Sequence, residues 1–278
     1  MYYQKKICTF VEKRKMKKLL GIVLVCMLTF FFVSLYYYYR WQPLWLQEEP
    51  RNYYSINHYQ DDTLRILMIG DSWVGMRTDS INKMFQKRLS EIVDRPVILK
   101  SKGRGGEKSR GIYRLMFEDG GCGSKQLLSS GVDYCIVFAG INDAAANLGK
   151  KQYLYYMKLI MDFLLASNIR PVLIEIPDVN IWNLYGGKPV KDLLADYIKS
   201  WMTQCGMYSF SEYRDALQLL LEDSFLKDSV IYVPMRGWNG DGTNMNKSLS
   251  LDDQVHLNQQ GYIKMDSCII NAIIRDLK

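Results

Sequence analysis

The chain has 278 residues, of which 48% are hydrophobic and 23% are charged, and its formal net charge is +7. This composition is typical of a globular protein and excludes a disordered or fibrous chain. Residues 1–18 hold seven Lys/Arg and one acid, which leaves 29 Lys/Arg and 28 acids, a net charge of +1, for the rest of the chain. A face that binds nucleic acid needs clustered basic residues, and the main body has almost no excess. We therefore expect no nucleic-acid partner.

An uncharged apolar segment follows the basic amino terminus. Residues 19–35 carry no charge, and a run of tyrosines extends the segment to Arg40. At about 1.5 Å per residue, a helix over residues 19–39 is roughly as long as a bilayer is thick. The flanking basic and aromatic residues predict a single-pass signal anchor, with residues 1–18 as a cytoplasmic tail and the remainder periplasmic or extracellular. A cleaved secretory signal is the alternative, but bulky tyrosines stand where small residues would precede a cleavage site.

The region after the anchor predicts a stalk and one domain. Residues 40–62, which include Pro43 and Pro50, are expected to separate the membrane from a domain over residues 63–278. Four cysteines lie in that domain: Cys122, Cys135, Cys205 and Cys268. They form no close-spaced pair, which argues against a disulfide scaffold or a zinc site and leaves a single disulfide open. We expect no metal and no cofactor.

Short apolar runs alternate with amphipathic stretches throughout the predicted domain. The apolar runs predict five β-strands, at residues 64–70, 96–100, 133–140, 171–177 and 230–234. Helical periodicity predicts helices near residues 76–93, 107–117, 150–168, 190–204, 211–226 and 258–274. Unbroken apolar strands that alternate with helices indicate an α/β fold, with a parallel sheet covered on both faces. Functional groups in such sheets gather at the carboxyl ends of the strands.

Candidate functional residues follow three of these strands. The first strand ends in Gly-Asp-Ser with Ser72, a glycine-rich loop at residues 103–106 follows the second, and the third leads to Asn142. Each signal is weak alone. Ser72 suits a helix cap as well as a nucleophile, the loop suits a flexible connection, and Asn142 suits a turn or a cap.

A fourth signal stands before the last predicted helix. The chain has two histidines, His58 in the predicted stalk and His256. Asp253 precedes His256 by three residues, so a short turn can bring its carboxylate to one ring nitrogen while the other nitrogen faces outward. Asp252 is a competing candidate, and only the spacing favours Asp253.

These four blocks, in this order, resemble the SGNH hydrolases, also called the GDSL esterase/lipase family, over roughly residues 64–275. The resemblance implies a three-layer α/β/α sandwich with a mostly parallel, five-stranded, flavodoxin-like sheet. It also implies that Ser72 is the nucleophile, His256 its general base and Asp253 the group that orients the histidine.

The resemblance further implies an oxyanion hole formed by the Ser72 backbone amide, Gly106 and Asn142. Gly103 and Gly105 remain alternatives for the glycine, because the loop offers three. Trp73 replaces the leucine after which the family is named, and we expect this departure to alter the acyl pocket beside Ser72.

The anchor and the resemblance together predict a membrane-anchored serine esterase. Its expected substrates are small acyl esters, foremost O-acetyl esters, on carbohydrate or envelope polysaccharide. Aromatic and polar residues in loops 178–189 and 234–250 would suit sugar rings, although packing of the loops explains them equally well. The alternatives are a polysaccharide O-acyltransferase with the same site, a lysophospholipase or thioesterase, and a non-catalytic binding module. Protein partners are left open.

Overall fold

The computed structural model describes residues 2–179, 187–222, 224–238 and 246–278. The chain forms two compact units, Met1–Glu48 and Glu49–Lys278. Within the first unit, α1 (Tyr2–Trp45) is one continuous helix. Its stretch Lys15–Gln42 is long and apolar enough to cross a membrane, and residues 15–36 within it are all exposed. Such a helix is compatible with a single-pass anchor or with a signal sequence.

The second unit is built on a parallel sheet of five strands, as predicted. The strands are β1 (Leu64–Gly70), β2 (Val97–Gly103), β3 (Tyr134–Phe138), β4 (Arg170–Ile174) and β5 (Ile231–Val233). They lie in the order β2-β1-β3-β4-β5, and every neighbouring pair is parallel. β2 runs three residues beyond the predicted strand, because it stays paired with β1 as far as Gly70 and Gly103. All carboxyl ends therefore share one edge of the sheet.

Helices connect the strands and cover the sheet. In chain order they are α2 (Ser72–Gly75), α3 (Asp79–Val93), α4 (Ser109–Leu115), α5 (Lys125–Ser129), α6 (Ile141–Ala145), α7 (Lys150–Ala166), α8 (Val190–Thr203), α9 (Phe210–Leu221), α10 (Ser224–Ser229) and α11 (Gln259–Asp276). α3 packs against α11, whereas α7 packs against both α4 and α9. The helix predicted near residues 76–93 begins at Asp79, because the Thr78 side chain caps it by accepting a hydrogen bond from the Ile81 amide; the short α2 before it was not predicted.

Part of the predicted stalk packs on the domain. The ring of Tyr54 lies against Phe117 and Phe163, with centroid separations of 5.6 and 5.1 Å. The backbone amide of Arg51 donates a hydrogen bond to the Tyr113 hydroxyl at 2.8 Å. The aromatic residues of this segment gain burial by lying on the domain, so from Arg51 onward the chain is not a free spacer.

Candidate active site

Ser72 lies at the carboxyl end of β1. That strand is buried over Ile66–Ile69 and ends at Gly70. The Asp71 side chain then caps the short α2 by accepting a hydrogen bond from the Trp73 amide at 3.0 Å. Ser72 opens α2, so its hydroxyl stands at the rim where the sheet meets the loops. Trp73, the departure from the family motif, is 1% exposed and packs in the main core.

His256 lies on a turn before α11, and Asp253 shapes that turn. One carboxylate oxygen of Asp253 accepts hydrogen bonds from the backbone amides of Val255 (2.9 Å) and His256 (3.0 Å). The other oxygen lies 2.5 Å from His256 Nδ1. An isolated antiparallel bridge between Ser250 and Leu257 closes the base of the turn. The same carboxylate thus fixes both the backbone of the turn and the orientation of the ring.

The serine and the histidine meet at this edge of the sheet. His256 Nε2 lies 2.9 Å from Ser72 Oγ, although the two residues are 184 positions apart in the chain. This is hydrogen-bond distance, as transfer of a proton from the hydroxyl to the ring requires.

Two buried contacts tie the segment after Ser72 to α11. Arg77 binds both carboxylate oxygens of Asp266, at 2.9 and 3.0 Å. The Tyr262 hydroxyl donates a hydrogen bond to the Trp73 carbonyl at 2.9 Å. No sequence signal marks these contacts, because their partners are 189 residues apart. They link the element that carries the serine to the helix that follows the histidine.

The environment of Asp253 keeps its carboxyl group ionised. Partial burial opposes ionisation, but the hydrogen bonds from His256 and Val255 outweigh it and lower the pKa of Asp253 below its ordinary value. A charged carboxylate on Nδ1 holds the ring with Nε2 toward Ser72 and can stabilise an imidazolium.

Asn142 reaches the same edge of the sheet, at the start of α6. Its Nδ2 donates a hydrogen bond to Asp71 Oδ2 at 3.1 Å. A carboxamide has two N–H donors, so one remains for another acceptor. Burial raises the pKa of Asp71 to about 7, with hydrogen bonds from Trp73 and Asn142 acting in the opposite direction. Sequence reasoning missed Asp71 as an orienting group, although it stands inside the Gly-Asp-Ser motif.

The glycine-rich loop is held beside Asn142 by a buried contact. Ser109, at the end of the loop, donates hydrogen bonds to Asp143 from its amide (2.9 Å) and its hydroxyl (2.5 Å). Gly106 has a left-handed backbone with φ +73°, and a Cβ at this position would meet no other atom within 4 Å. Gly103 differs, because a side chain there would lie within 3 Å of the backbone of Gly75 and Asp71. The loop thus requires glycine at 103 for close approach and favours it at 106 for backbone conformation.

The remaining predictions concern metals, cysteines and loops. Within the described ranges, no group of three His, Cys, Asp or Glu side chains could hold a metal ion. The four cysteines of the predicted domain are free. Of the loop residues considered for sugar binding, Trp238 and Asn246 lie inside the described residues; Trp182, Tyr185, Asn239, Asp241 and Asn244 lie outside them.

Comparison with known families decides the class of the chain. The sequence model of the GDSL-like lipase/acylhydrolase family matches residues 68–263, which is more than half of the chain. The chain belongs to this family. It is therefore an ester-hydrolysing enzyme, and the family assignment agrees with the resemblance seen in the sequence.

Solved structures share the fold of this GDSL-family hydrolase at low sequence identity. The psychrotrophic esterase EstA from Pseudoalteromonas sp. has a TM-score of 0.54 and 17% identity, over 78% of this chain and 99% of that one. The acetyl xylan esterase AlAXEase has a TM-score of 0.54 and 16% identity, over 76% and 100%. TesA has a TM-score of 0.51 and 15% identity, over 77% and 98%. No curated protein sequence matches the chain.

Proposed function

We propose that this hydrolase is a membrane-anchored serine esterase with Ser72, His256 and Asp253 as its catalytic triad. Its substrates are small acyl esters, foremost O-acetyl esters on carbohydrate or envelope polysaccharide. The observation that carries the proposal is the 2.9 Å separation between Ser72 Oγ and His256 Nε2, with Asp253 on the opposite ring nitrogen.

The reaction begins when Ser72 Oγ attacks the ester carbonyl and His256 Nε2 takes its proton. The negative charge on the former carbonyl oxygen is met by the amides of Ser72 and Gly106 and by the free N–H of Asn142 Nδ2. Each such donor typically contributes about 3 kcal/mol to lowering the barrier. His256 then returns the proton to the leaving alcohol, which leaves an acyl group on Ser72. A water molecule releases the acid by the same steps, and the serine recovers its proton.

The exposure of the site supports a small acyl group on a large alcohol. The side chain of His256 is 22% exposed and that of Asp253 46%. A bulky alcohol such as a polysaccharide can remain in solvent while only the acyl group enters beside Ser72. The fold shared with an acetyl xylan esterase accommodates this chemistry.

The apolar helix α1 supports anchorage of the enzyme in a membrane. Residues 15–36 are all exposed, and a helix that is apolar all round is stable in lipid rather than in water. The basic residues before the span favour a cytoplasmic amino terminus, with the domain on the opposite side of the membrane.

Labelling by a fluorophosphonate probe tests the catalytic proposal. The probe phosphonylates an activated serine, so we expect the full-length wild type to be labelled and the Ser72→Ala variant to remain unlabelled. His256→Ala should be labelled far more slowly, whereas His58→Ala, which changes the only other histidine, should match the wild type. Equal labelling of all four proteins would reject the triad.

Product analysis tests the acyl group and the acceptor. We expect acetyl esters to be cleaved faster than long-chain esters of the same alcohol. With an acetylated polysaccharide, free acetate should be the main product. If acetyl groups move mainly to other sugar hydroxyls, the chain is an acyltransferase and the hydrolytic proposal is wrong.

A further inference from the structure

Helix α8 has an inverted distribution of polar and apolar side chains. Asp196 is the only buried residue among positions 190–203. Four large apolar side chains are exposed: Val190 (82%), Leu194 (58%), Tyr197 (64%) and Trp201 (76%). Their spacing of four, three and four residues places them on one side of the helix, which we call the apolar stripe.

Polar contacts hold the stripe outward. Asp196 accepts hydrogen bonds from Lys188 Nζ at 2.7 Å, Lys199 Nζ at 3.3 Å and the Tyr208 hydroxyl at 2.6 Å. Burial opposes ionisation of Asp196, but these contacts outweigh it and lower its pKa. The side of α8 that carries Asp196 and Lys199 is thereby fixed toward the protein. The stripe faces solvent because of specific contacts on the opposite side of the helix, which is typical of an interaction surface.

We propose that the apolar stripe docks on the lipid surface of the membrane that α1 spans. This inference rests on the membrane anchorage proposed above. Trp201 and Tyr197 are the residue types that favour the boundary between water and lipid, and Leu194 and Val190 supply apolar area. A lipid surface needs no face of complementary shape, so a stripe one helix wide is sufficient to bind it.

The short connection between the apolar span and the domain keeps lipid within reach. The span ends at Gln42, and Arg51 is already hydrogen-bonded on the domain. A fully extended chain covers at most about 3.5 Å per residue, so residues 43–50 allow Arg51 to lie at most about 30 Å from the end of the span. A domain tethered this closely meets lipid at a high effective concentration, so a weak contact through the stripe would be enough to orient it.

Docking of α8 would also orient the catalytic edge of the sheet. The last residue of α8, Thr203, lies so close to Gly149 that a side chain there would come within 2.7 Å of Thr203 Cβ. Gly149 caps α7, directly after the short helix that carries Asn142. A docked stripe thus holds the Asn142 side of the catalytic edge near the membrane surface.

Quenching of tryptophan fluorescence by brominated lipid tests the docking. The full chain is reconstituted into phosphatidylcholine vesicles with or without bromine on the acyl chains. The difference in emission between wild type and Trp201→Phe isolates Trp201. We expect brominated lipid to reduce this emission by about half or more, because an interfacial indole lies near the acyl chains. The matched difference for Trp238→Phe, a half-buried tryptophan that packs on the core, should be almost unaffected.

Flotation of the same vesicles separates the two proposals. If the chain floats with the vesicles and Trp201 is not quenched, anchorage stands and docking is wrong. If the chain does not float, the anchorage itself fails, and docking fails with it.

A substitution in the stripe tests its role directly. In protein that floats with the vesicles, Leu194→Gln should weaken the quenching of Trp201. Leu219→Gln, which changes a 69% exposed leucine of α9, should not. An equal effect of both substitutions would overturn the role of the stripe.

Discussion

The two halves of the Ser72–His256 pair are held in place by different forces. Ser72 follows a strand whose side chains are buried over Ile66–Ile69, and the next residue, Trp73, lies in the core. His256 stands on a turn that is shaped by a half-exposed Asp253. The position of the serine thus depends on apolar packing, whereas that of the histidine depends on a few polar contacts. Single polar substitutions should therefore damage the histidine side most.

The largest effect on the histidine side is expected from Asp253→Asn. The asparagine Oδ1 can still accept the Val255 and His256 amides, so the turn keeps its shape. Its Nδ2, however, is a donor facing Nδ1, which favours the ring tautomer with a proton on Nε2 and removes the base from Ser72. Loss of the orienting carboxylate in this way lowers kcat by about 10⁴-fold. The measurement is kcat for an acetyl ester.

Asp252→Asn is the matched control for that experiment. It makes the same chemical change one residue away, and we expect kcat within about twofold of wild type, since surface substitutions are usually mild. If both variants lose activity equally, or if Asp253→Asn retains activity, Asp253 is not the partner of His256.

The link between the two halves should be broken by Arg77→Met. This substitution leaves the buried Asp266 carboxylate without its bidentate partner, and removal of one member of a buried pair costs about 3–5 kcal/mol in free energy of unfolding. Urea unfolding at pH 7 measures the loss. The double variant Arg77→Met with Asp266→Leu should recover most of the stability, because no buried charge is left unpaired. A double variant as unstable as the single one would contradict this account.

The same division explains what could be predicted from the sequence. The parallel sheet is confirmed, because alternating apolar and amphipathic stretches record it locally. Ser72, Asn142 and His256 could be selected because each stands in a short motif beside a strand end or a helix start, although their catalytic roles remain predictions. The pairing of Arg77 with Asp266 could not be predicted, since nothing near either residue marks a partner 189 positions away. The inversion of α8 was also missed, because periodicity shows that a helix is amphipathic and not which side faces the protein.

The smallest effect is expected on the serine side, from Asp71→Asn. An asparagine Oδ1 can accept the Trp73 amide, but its Nδ2 then faces Asn142 Nδ2, donor against donor. Asn142 should turn away from the oxyanion, and kcat should fall by about tenfold, less than the ~10²-fold or greater loss for removing such a donor outright.

Burial raises the pKa of wild-type Asp71 to about 7, so between about pH 4 and 7 the folded state keeps a proton that the unfolded state has lost. This group therefore makes the wild type less stable as the pH rises through that window, and the asparagine variant lacks the contribution. Urea unfolding between pH 4 and 8 should show the variant gaining stability relative to wild type toward pH 8, whereas Asp62→Asn, at an exposed aspartate, should follow the wild type. Parallel pH profiles for wild type and Asp71→Asn would mean that Asp71 is ionised throughout the window.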